Sequence, residues 1–467
     1  MRSRLSVHAV LGALVITLAG GAASAAPAYA EEVYTRPSSG VFYFAGHGWG
    51  HGRGLNQWGA QGAATQGQTA TQILNAYYPG TSVGALGNVG IRVLLQKDDG
   101  KDVLVDRIAN LAAHDLSNNG RWALPGGPTQ WRFVVDSIGK LRIQGLTSAG
   151  WTNWAFGGHN EFTGPLRFEG ATPLHLSYPD GTARDYRGTL SAVRMSSTSI
   201  ATVNTLSMEQ YLYGVVPRES PSYFHAEALK AQAVAARSYS AYKIQHVAST
   251  AKWDICDSTQ CQVYGGLRLY TGGDVIALER DTTNAAVDAT RGVVRTYNGA
   301  AIFAEYSSSN GGWSTAGSVP YLVARADPWD AIASPDHNWN GQVSVAQLQA
   351  KFAAVGTLDR IVVVTRDGHG DWGGRVKTVR LEGHTSSGGA TSVTTTGAGV
   401  YGANTWPASS SGLRSSWWKV TSAPVPTFTG AVAGVSSGNA VAPVGTVRVW
   451  FDIRNTGNLS WPVNGLV

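Results

Sequence analysis

The sequence predicts an α+β fold, in which a β-rich domain packs around one long alanine-rich helix. Residues 90–210 contain short β-type runs separated by Gly, Asn, Asp and Pro. Residues 225–245 contain no Gly or Pro and are rich in alanine, which is typical of a helix. Because small residues occur on most faces of this helix, we expect it to lie inside the domain. Further β-type runs follow at 292–297, 301–306, 360–365 and 376–381.

The first 30 residues have the layout of a secretory signal peptide. Arg2 and Arg4 precede an apolar run over residues 9–18, and small residues then lead to Ala30, after which we expect cleavage. The run is shorter than the roughly 20 residues that span a bilayer, so an uncleaved anchor is the alternative and no stable membrane span is expected. The sequence therefore predicts a protein that works outside the cytoplasm.

The composition is poor in charge and rich in glycine and aromatic residues. Only 14% of the residues are charged, whereas the chain has 58 Gly, 16 Trp and 18 Tyr among 467 residues. Flat aromatic faces can stack on sugar rings or on bases. The net charge of +6 is diffuse, with no block of five like charges, so we expect no nucleic-acid partner.

The remaining elements follow in chain order. Residues 31–45 are expected to be extended, and residues 46–54 contain too many glycines for a helix and predict a loop. A short helix is expected from Thr69, as its cap, to Tyr78, before Pro79 and Gly80. Residues 421–445 are predicted to be a linker, and residues 446–467 the truncated start of an immunoglobulin-like β-sandwich.

The cysteines, Cys256 and Cys261, are five residues apart. In an exported chain this spacing favours a short-loop disulfide. A zinc site is the alternative, but structural zinc needs about four ligands and the intervening segment has no histidine.

A single carboxylate, Glu219, stands between Pro217 and Pro221, which predicts a rigid turn just before the long helix. Aromatic residues nearby, such as Tyr211 and Tyr223, would reduce its exposure, and desolvation favours the neutral acid that a proton donor to a glycosidic oxygen must be. The alternative interpretation is a helix N-terminal carboxylate paired with Arg218.

Several other polar residues are candidates for the same cleft. Lys230 and Arg237 are seven residues apart on the helix and share a face, with Gln232 offset from them. The run Tyr306, Ser307 and Ser308 follows a predicted strand and offers hydroxyl groups. Each pattern has an ordinary alternative, either a solvated helix face or a polar turn. His47 and His51 have the spacing of two metal ligands on a helix, but in a glycine-rich loop this spacing is weak evidence for a metal site. We expect neither a metal nor a cofactor.

Several ordered stretches closely resemble the SpoIID/LytB family of bacterial cell-wall proteins. They are residues 211–242, 256–266, 290–312 and 319–339, within a main match over 180–420. The segment from Gly48 to Ala60 is similar to the family's G-x-G-H-G-x-G-x-x-Q-[YW]-G-A motif, which usually closes the domain and here comes first, as in a circular permutation. The resemblance implies one family domain over 31–420, made of a glycine-rich part at 46–80, a β-rich part at 81–180 and the main match.

The resemblance implies two functions. SpoIID-type members are lytic transglycosylases that cut peptidoglycan glycan strands, preferably those freed of peptides, and the carboxylate that matches Glu219 is the acid and base. LytB-type members enhance a cell-wall amidase, which makes an amidase a possible partner. A location outside the cell or in the cell wall follows from either function.

The resemblance also extends the set of site residues. The substrate-binding candidates are Lys230, Arg237, Gln232, Tyr306, Ser307, Ser308, His51, Gln57, Gln262 and Asp327, of which Asp327 is also a candidate second carboxylate. Many members with this cysteine pair have a histidine where this sequence has Gln260, so no metal site is carried over.

Overall fold

The computed structural model describes residues 30–98, 100, 102–401, 412–422, 430–435 and 451–455. All but the last residue of the predicted signal peptide, most of the predicted linker and most of the predicted immunoglobulin-like module lie outside these residues. None of the described helices is long and apolar enough to cross a membrane. The helices are α1 (Gln57–Thr65), α2 (Ala70–Tyr77), α3 (Met208–Glu219), α4 (Ala226–His246), α5 (Asp281–Ala289), α6 (Asp330–Ala333), α7 (Val345–Lys351) and α8 (Gly397–Tyr401).

The described residues are rich in strands, as an α+β fold requires. The strands of the first half are β1 (Glu32–Thr35), β2 (Val41–His47), β3 (Leu55–Asn56), β4 (Ser82–Ala85), β5 (Gly90–Leu94), β6 (Val103–Asp106), β7 (Ala112–Asp115), β8 (Gly120–Ala123), β9 (Gln130–Val135), β10 (Leu141–Thr147), β11 (Gly150–Trp154), β12 (Leu166–Glu169), β13 (Leu174–Ser177), β14 (Ala183–Tyr186), β15 (Thr189–Arg194) and β16 (Ile200–Ser207). Those of the second half are β17 (Ile255–Cys256), β18 (Arg268–Thr271), β19 (Asp274–Ala277), β20 (Val293–Tyr297), β21 (Ala300–Ala301), β22 (Tyr306–Ser307), β23 (Trp313–Ser314), β24 (Arg325–Ala326), β25 (Asn338–Ser344), β26 (Thr357–Arg366), β27 (Val376–His384), β28 (Ala390–Thr395), β29 (Trp418–Thr421), β30 (Gly430–Val435) and β31 (Phe451–Asn455).

Two large sheets form the β-rich part between β5 and β19. One sheet has the order β17-β5-β16-β15-β12-β7-β8 and the other the order β11-β10-β9-β6-β13-β14-β18-β19. Phe133 of one sheet stacks on Phe168 of the other at 3.6 Å between ring centroids, and both rings are fully buried. The alternating apolar residues that predicted strands here therefore point into the space between the sheets.

Helix α4 is the longest of the described helices and packs against α1, α2, α3 and α5. Its buried positions include six alanines, whose short side chains let these neighbours approach closely. The helix begins at Ala226, one residue after the start of the predicted range 225–245, and its cap is His225, whose side chain accepts a hydrogen bond from the Glu227 amide.

One prediction about local structure is wrong, and one helix was not predicted, for a shared reason. Glu219 does not lie in a turn, since it is the last residue of α3, which contains Pro217. Gln57 begins a helix, α1, in residues for which no element was predicted. Both helices bury one side, including Leu212 and Val215 of α3 and Ala63 of α1, and this burial outweighs the low helix propensity of Pro and Gly.

A second, smaller core forms from both ends of the described domain. Sheet β25-β2-β29 and sheet β1-β26-β27-β28 share a core that contains Phe42, Phe44, Ile361, Leu381 and Trp418. The N-terminal strands β1 and β2 are thus integral to a unit that is otherwise built from residues beyond 337. Strand β30 lies within the segment predicted to be a linker, and it pairs with β31 in an antiparallel fashion. The rest of the predicted immunoglobulin-like module lies outside the described residues.

Candidate functional site

A cleft of about 470 Å³ opens where the glycine-rich segment meets the end of α3. This volume is within the range of small-molecule sites. Its walls come from the glycine segment with the start of α1, from the end of α3, from the cysteine loop and from the stretch around β22. Six residues predicted from the sequence line it, namely Glu219, His51, Gln57, Tyr306, Ser307 and Ser308.

Glu219, the last residue of α3, is a carboxylate that lines the cleft. Its Oε1 accepts a hydrogen bond from the backbone N–H of Val263 at 2.7 Å. Burial raises the pKa of Glu219, while the Val263 amide and the side chains of Gln57 and Tyr306 oppose this rise. The group therefore holds its proton more readily than an exposed glutamate and is still held in one orientation by donors.

The donors around Glu219 are neutral. Burial, together with the Glu219 charge, raises the pKa of Tyr306 well above its ordinary value, so the phenol keeps its proton. The Tyr306 hydroxyl and the Gln57 amide nitrogen are buried without a hydrogen bond of standard geometry in the described structure. Both side chains still interact with the Glu219 carboxylate, so they form the polar surroundings of that group in the cleft.

His51, in the glycine-rich segment, is a neutral hydrogen-bond donor that lines the cleft. Burial, helped by the nearby Arg53, lowers the pKa of His51 to about 4. The Arg53 backbone N–H donates to Nδ1 of His51 at 3.0 Å, which places the ring proton on Nε2. His51 can therefore donate a hydrogen bond but does not carry a charge near neutral pH.

Arg53 and Glu305 form a bidentate ion pair in the wall. Arg53 Nε and Nη2 donate to the two Glu305 oxygens at 2.8 and 2.6 Å. Such a pair stabilises the ionised carboxylate, and both of its oxygens are occupied. Glu219 is thus the carboxylate in this cleft that is not tied to a cation by a salt bridge.

The glycine-rich segment completes the cleft by close backbone contact with the stretch around β22. Strand β3 pairs with β22 in a parallel fashion, Trp49 and Ser309 exchange backbone hydrogen bonds, and the Gly52 amide donates to Ser307 Oγ at 3.2 Å. A Cβ at Gly54 would overlap the carbonyl oxygen of Glu305, and the residue has a φ of +64°. Only glycine fits there.

Replacing Gly54 by alanine is expected to destabilise the fold by at least about 2 kcal/mol, because a left-handed φ and a backbone overlap both oppose the added methyl group. The matched control is Gly67→Ala, since Gly67 also has a positive φ (+85°) but has nothing within 4 Å of a built Cβ. That control should cost only about 1 kcal/mol. Urea unfolding of both variants measures the difference, and equal losses would contradict the close approach.

Five of the predicted binding residues do not line the cleft. Arg237 is fully buried and pairs with Glu209 through Nη2 and Oε2 at 2.7 Å. Gln232 is buried beneath the end of α3, where its Oε1 accepts from the Ser220 hydroxyl at 3.4 Å. Lys230 is partly exposed, but its Nζ pairs with Glu227 at 2.7 Å.

Asp327, the fourth, belongs to a buried network rather than to the cleft. Its Oδ2 accepts from Asn56, Tyr77 and Asn310 at 2.7–2.8 Å, and the residue is 4% exposed. With these donors in place it anchors the glycine segment and has no access to a ligand in the cleft. Its predicted position as a second carboxylate of the site is therefore wrong. The fifth, Gln262, is also buried and does not line the cleft.

The disulfide between Cys256 and Cys261 is confirmed, with 5.6 Å between the two Cα atoms. Because both cysteines form this bond, neither can provide a thiolate ligand for the zinc site considered as the alternative. Among the described residues, no group of three or more His, Cys, Asp or Glu side chains is arranged to hold a metal.

Besides Cys261, eight residues line the cleft that were not predicted as site residues, namely Trp49, Gly50, Arg53, Tyr239, Thr259, Gln260, Val263 and Glu305. Trp49, Gly50 and Arg53 lie in the glycine-rich motif, and Thr259 and Gln260 lie between the two cysteines, so both motifs were signals that pointed to them. Val263 contributes a backbone amide, to which no side-chain pattern points. Tyr239 and Glu305 are ordinary residues of a helix and of an extended stretch, and only the packing brings them to the cleft.

Comparison with known proteins identifies similar sequences. Residues 196–297 match the family model described as SpoIID: Stage II sporulation protein. The amidase enhancer of Bacillus subtilis (strain 168) is 42% identical over 146 residues, which are 30% of this chain and 18% of that protein. Stage II sporulation protein D of Bacillus amyloliquefaciens is 34% identical over 177 residues, covering 34% of this chain and 50% of that protein. The chain thus covers half or less of the length of these relatives.

Proposed function

Because this chain is a SpoIID/LytB family protein, we propose that it is a lytic transglycosylase that cleaves peptide-free glycan strands of peptidoglycan. Glu219 would serve as its single acid and base. The observation that carries this proposal is the position of Glu219 on the floor of the cleft, with a raised pKa and a backbone donor that fixes its orientation.

The chemistry requires one carboxylate. Protonated Glu219 gives its proton to the glycosidic oxygen as the bond from that oxygen to C1 of the muramic sugar breaks. The C6 hydroxyl of the same sugar attacks C1, and its proton passes to the Glu219 carboxylate. The products are a 1,6-anhydro-muramic end and a free hydroxyl on the neighbouring sugar, with no water consumed and Glu219 returned to its starting state.

The state of Glu305 supports this mechanism over hydrolysis. Ordinary glycosidases use a second carboxylate as base or nucleophile. Glu305 lines the same cleft, but Arg53 occupies both of its oxygens. Because both oxygens accept hydrogen bonds from Arg53, Glu305 is held in the wall and is not free to act as a second carboxylate on the sugar.

The neutral donors suit an uncharged sugar. Gln57, Tyr306 and His51 present amide, phenol and imidazole hydrogens, which can bind hydroxyl and N-acetyl oxygens of a glycan. Trp49 and Tyr239 add aromatic surface for the sugar rings. We propose that these residues, with Ser307 and Ser308, hold the strand over Glu219.

Mass spectrometry of the products tests the reaction. Purified protein is incubated with peptide-free glycan strands, and the new ends are compared with those produced by a hydrolase of known type. The expected product is lighter than the hydrolysis product by one water. A hydrated reducing end would overturn the transglycosylase and would make a water-activating base necessary.

The second candidate is enhancement of a cell-wall amidase. It is favoured by the 42% identity to a protein named amidase enhancer. Incubating an amidase with intact peptidoglycan and this protein measures the effect directly. If Glu219→Gln enhances the amidase as strongly as the original protein while neither makes anhydro ends, enhancement by binding replaces catalysis.

We also propose that the protein is exported, with cleavage after Ala30. Arg2, Arg4 and the apolar run support a signal peptide, and a disulfide persists in an oxidising compartment. N-terminal sequencing of protein recovered from the culture medium or the cell wall tests this. A first residue of Glu31 is expected, and an uncleaved chain in the membrane fraction would contradict it.

A further inference from the structure

The strongest fixed contact of Glu219 is to a backbone amide rather than to a side chain. The Val263 N–H donates to Oε1 at 2.7 Å, and Val263 lines the cleft. This amide belongs to a loop, so its position depends on what holds the loop. Two features hold it, one on the side of Gln262 and one on the side of Cys261.

Gln262 fastens the loop to both helices of the site. Its Oε1 accepts from the Tyr211 hydroxyl of α3 at 3.1 Å and from the Ser240 hydroxyl of α4 at 2.8 Å. Its Nε2 donates to the Ala236 carbonyl of α4 at 3.2 Å. The side chain is 1% exposed, so a ligand in the cleft cannot reach it.

The disulfide fastens the loop from the other side. Cys256 lies in β17, which pairs with β5 of the seven-stranded sheet, so the bond ties Cys261 to that sheet. Within the loop, the Cys261 amide donates to the Ser258 carbonyl at 2.9 Å, and the Tyr264 amide to the Asp257 carbonyl at 3.1 Å. Val263 thus follows directly on two anchored residues.

We propose that Gln262 and the Cys256–Cys261 disulfide are positioning groups, which hold the Val263 amide against the carboxylate of Glu219. The catalytic meaning of this arrangement rests on the proposed function. The arrangement itself does not, because it concerns the state of one carboxyl group in the protein without substrate. Gln262 is therefore assigned to this support and not to substrate binding.

The arrangement affects the proton affinity of Glu219. A donor favours the ionised form, so the Val263 amide opposes the rise in pKa that burial causes. When the amide moves away, the pKa of Glu219 rises further. A step that needs protonated Glu219 loses rate as the pH rises through this pKa, so the alkaline limb of the pH–rate profile moves to higher pH. The maximal cleavage rate in the pH–rate profile falls, because the carboxyl group of Glu219 is no longer held in one orientation.

Other charged and titratable groups surround Glu219 and are not themselves replaced in this experiment. They are Arg218 beside it on α3, Tyr211 and Tyr239 on the two helices, Tyr306 on the opposite wall, and His51, Arg53 and Glu305 in the cleft. Gln262→Ala removes the acceptor of the Tyr211 hydroxyl, whereas the cysteine variant does not alter that hydrogen bond. A shift in the titration of Glu219 that both variants share is therefore read as the effect of the Val263 amide.

The test compares Gln262→Ala and the double variant Cys256→Ser, Cys261→Ser with the original protein. Gln245→Ala is the matched control, since Gln245 is exposed near the end of α4. The Glu219 carboxyl is titrated by ¹³C NMR on glutamate-labelled protein, with Glu219→Gln used to assign its signal. This readout needs no activity. Exchange of the amides around Val263 is followed by hydrogen–deuterium exchange, and glycan cleavage by its pH–rate profile.

The titration midpoint of Glu219 is expected to rise in both test variants and to stay constant in Gln245→Ala. The amide at Val263 should exchange faster, and cleavage should fall by about 10- to 100-fold with the alkaline limb at higher pH. Where the double serine variant does not fold, thiol reduction and reoxidation of the original protein provide the same comparison reversibly, and Glu219 should return to its original midpoint on reoxidation. An unchanged midpoint in folded variants or reduced protein would overturn the positioning role. A shifted midpoint in a protein that cleaves no glycan would retain that role and refute the transglycosylase.

Discussion

Replacing Glu219 by glutamine is expected to reduce cleavage of peptide-free glycan by about 10²- to 10⁴-fold, the usual contribution of a general acid and base. Glutamine has nearly the same shape, and its carbonyl oxygen can still accept from the Val263 amide, so the cleft should keep its form. It has no proton to give to the glycosidic oxygen. Release of anhydro-muramic ends, followed by mass spectrometry, measures the loss.

Two controls separate lost chemistry from a damaged protein. Binding of glycan by Glu219→Gln should be largely retained, and Glu161→Gln, at an exposed site in the β-rich part, should cleave normally. Since burial raises the pKa of Glu219, its ionised form weakens the fold as the pH rises through that pKa. Glu219→Gln should therefore be no less stable than the original protein at neutral pH. Cleavage within a few-fold of normal would remove Glu219 from the mechanism.

Replacing Arg237 by alanine is expected to have the largest effect on stability, a loss of about 3–5 kcal/mol. Arg237 donates to both oxygens of Glu209, at 3.1 and 2.7 Å, and to the carbonyls of Val287 and Val293. Its side chain is fully buried. Removing it leaves the Glu209 charge with the Gly292 amide but without its cation, and leaves two carbonyls short of a donor.

Lys230→Ala on the same helix is the matched control. Its Nζ pairs with Glu227, but both side chains are about a quarter to a third exposed, so the loss should be at most about 1 kcal/mol. Urea unfolding at neutral pH measures both variants. A loss below about 1 kcal/mol for Arg237→Ala would show that the buried pair is not what joins α3, α4 and α5. Substrate binding by the residual folded protein should be unchanged.

Features that depend on neighbours in the sequence could be predicted without the structure. The strands within 90–210 and at 376–381 follow from short β-type runs, and the helix cap at Thr69 from its position before an apolar helical pattern. The five-residue spacing of Cys256 and Cys261 led to the disulfide. The prediction of a turn at Glu219 failed because packing of α3 overrides the preference of proline.

The docking of the glycine-rich segment shows how a sequence motif gains a position only in three dimensions. The motif stands near the start of the chain, yet β3 pairs with β22, some 250 residues later, and Asn56 donates to Asp327. The family resemblance implied that this segment had moved from the end of the domain to its start. In the structure, the glycine-rich segment contacts residues around β22 and Asp327, which lie much later in the chain.

The sequence by itself determined the α+β class, the disulfide, the glycine-rich loop and the carboxylate at position 219, because each depends on local spacing or composition. Only the tertiary structure decided which polar residues face the cleft. Lys230 and Arg237 share one side of α4, but α3 and α5 cover that side at Arg237 and leave it open at Lys230. Burial of this kind arises from contacts between distant segments. Such contacts bury Arg237, Gln262 and Asp327, which were predicted to bind the substrate, and make them part of the structure around the cleft. They also place the Val263 amide beside Glu219.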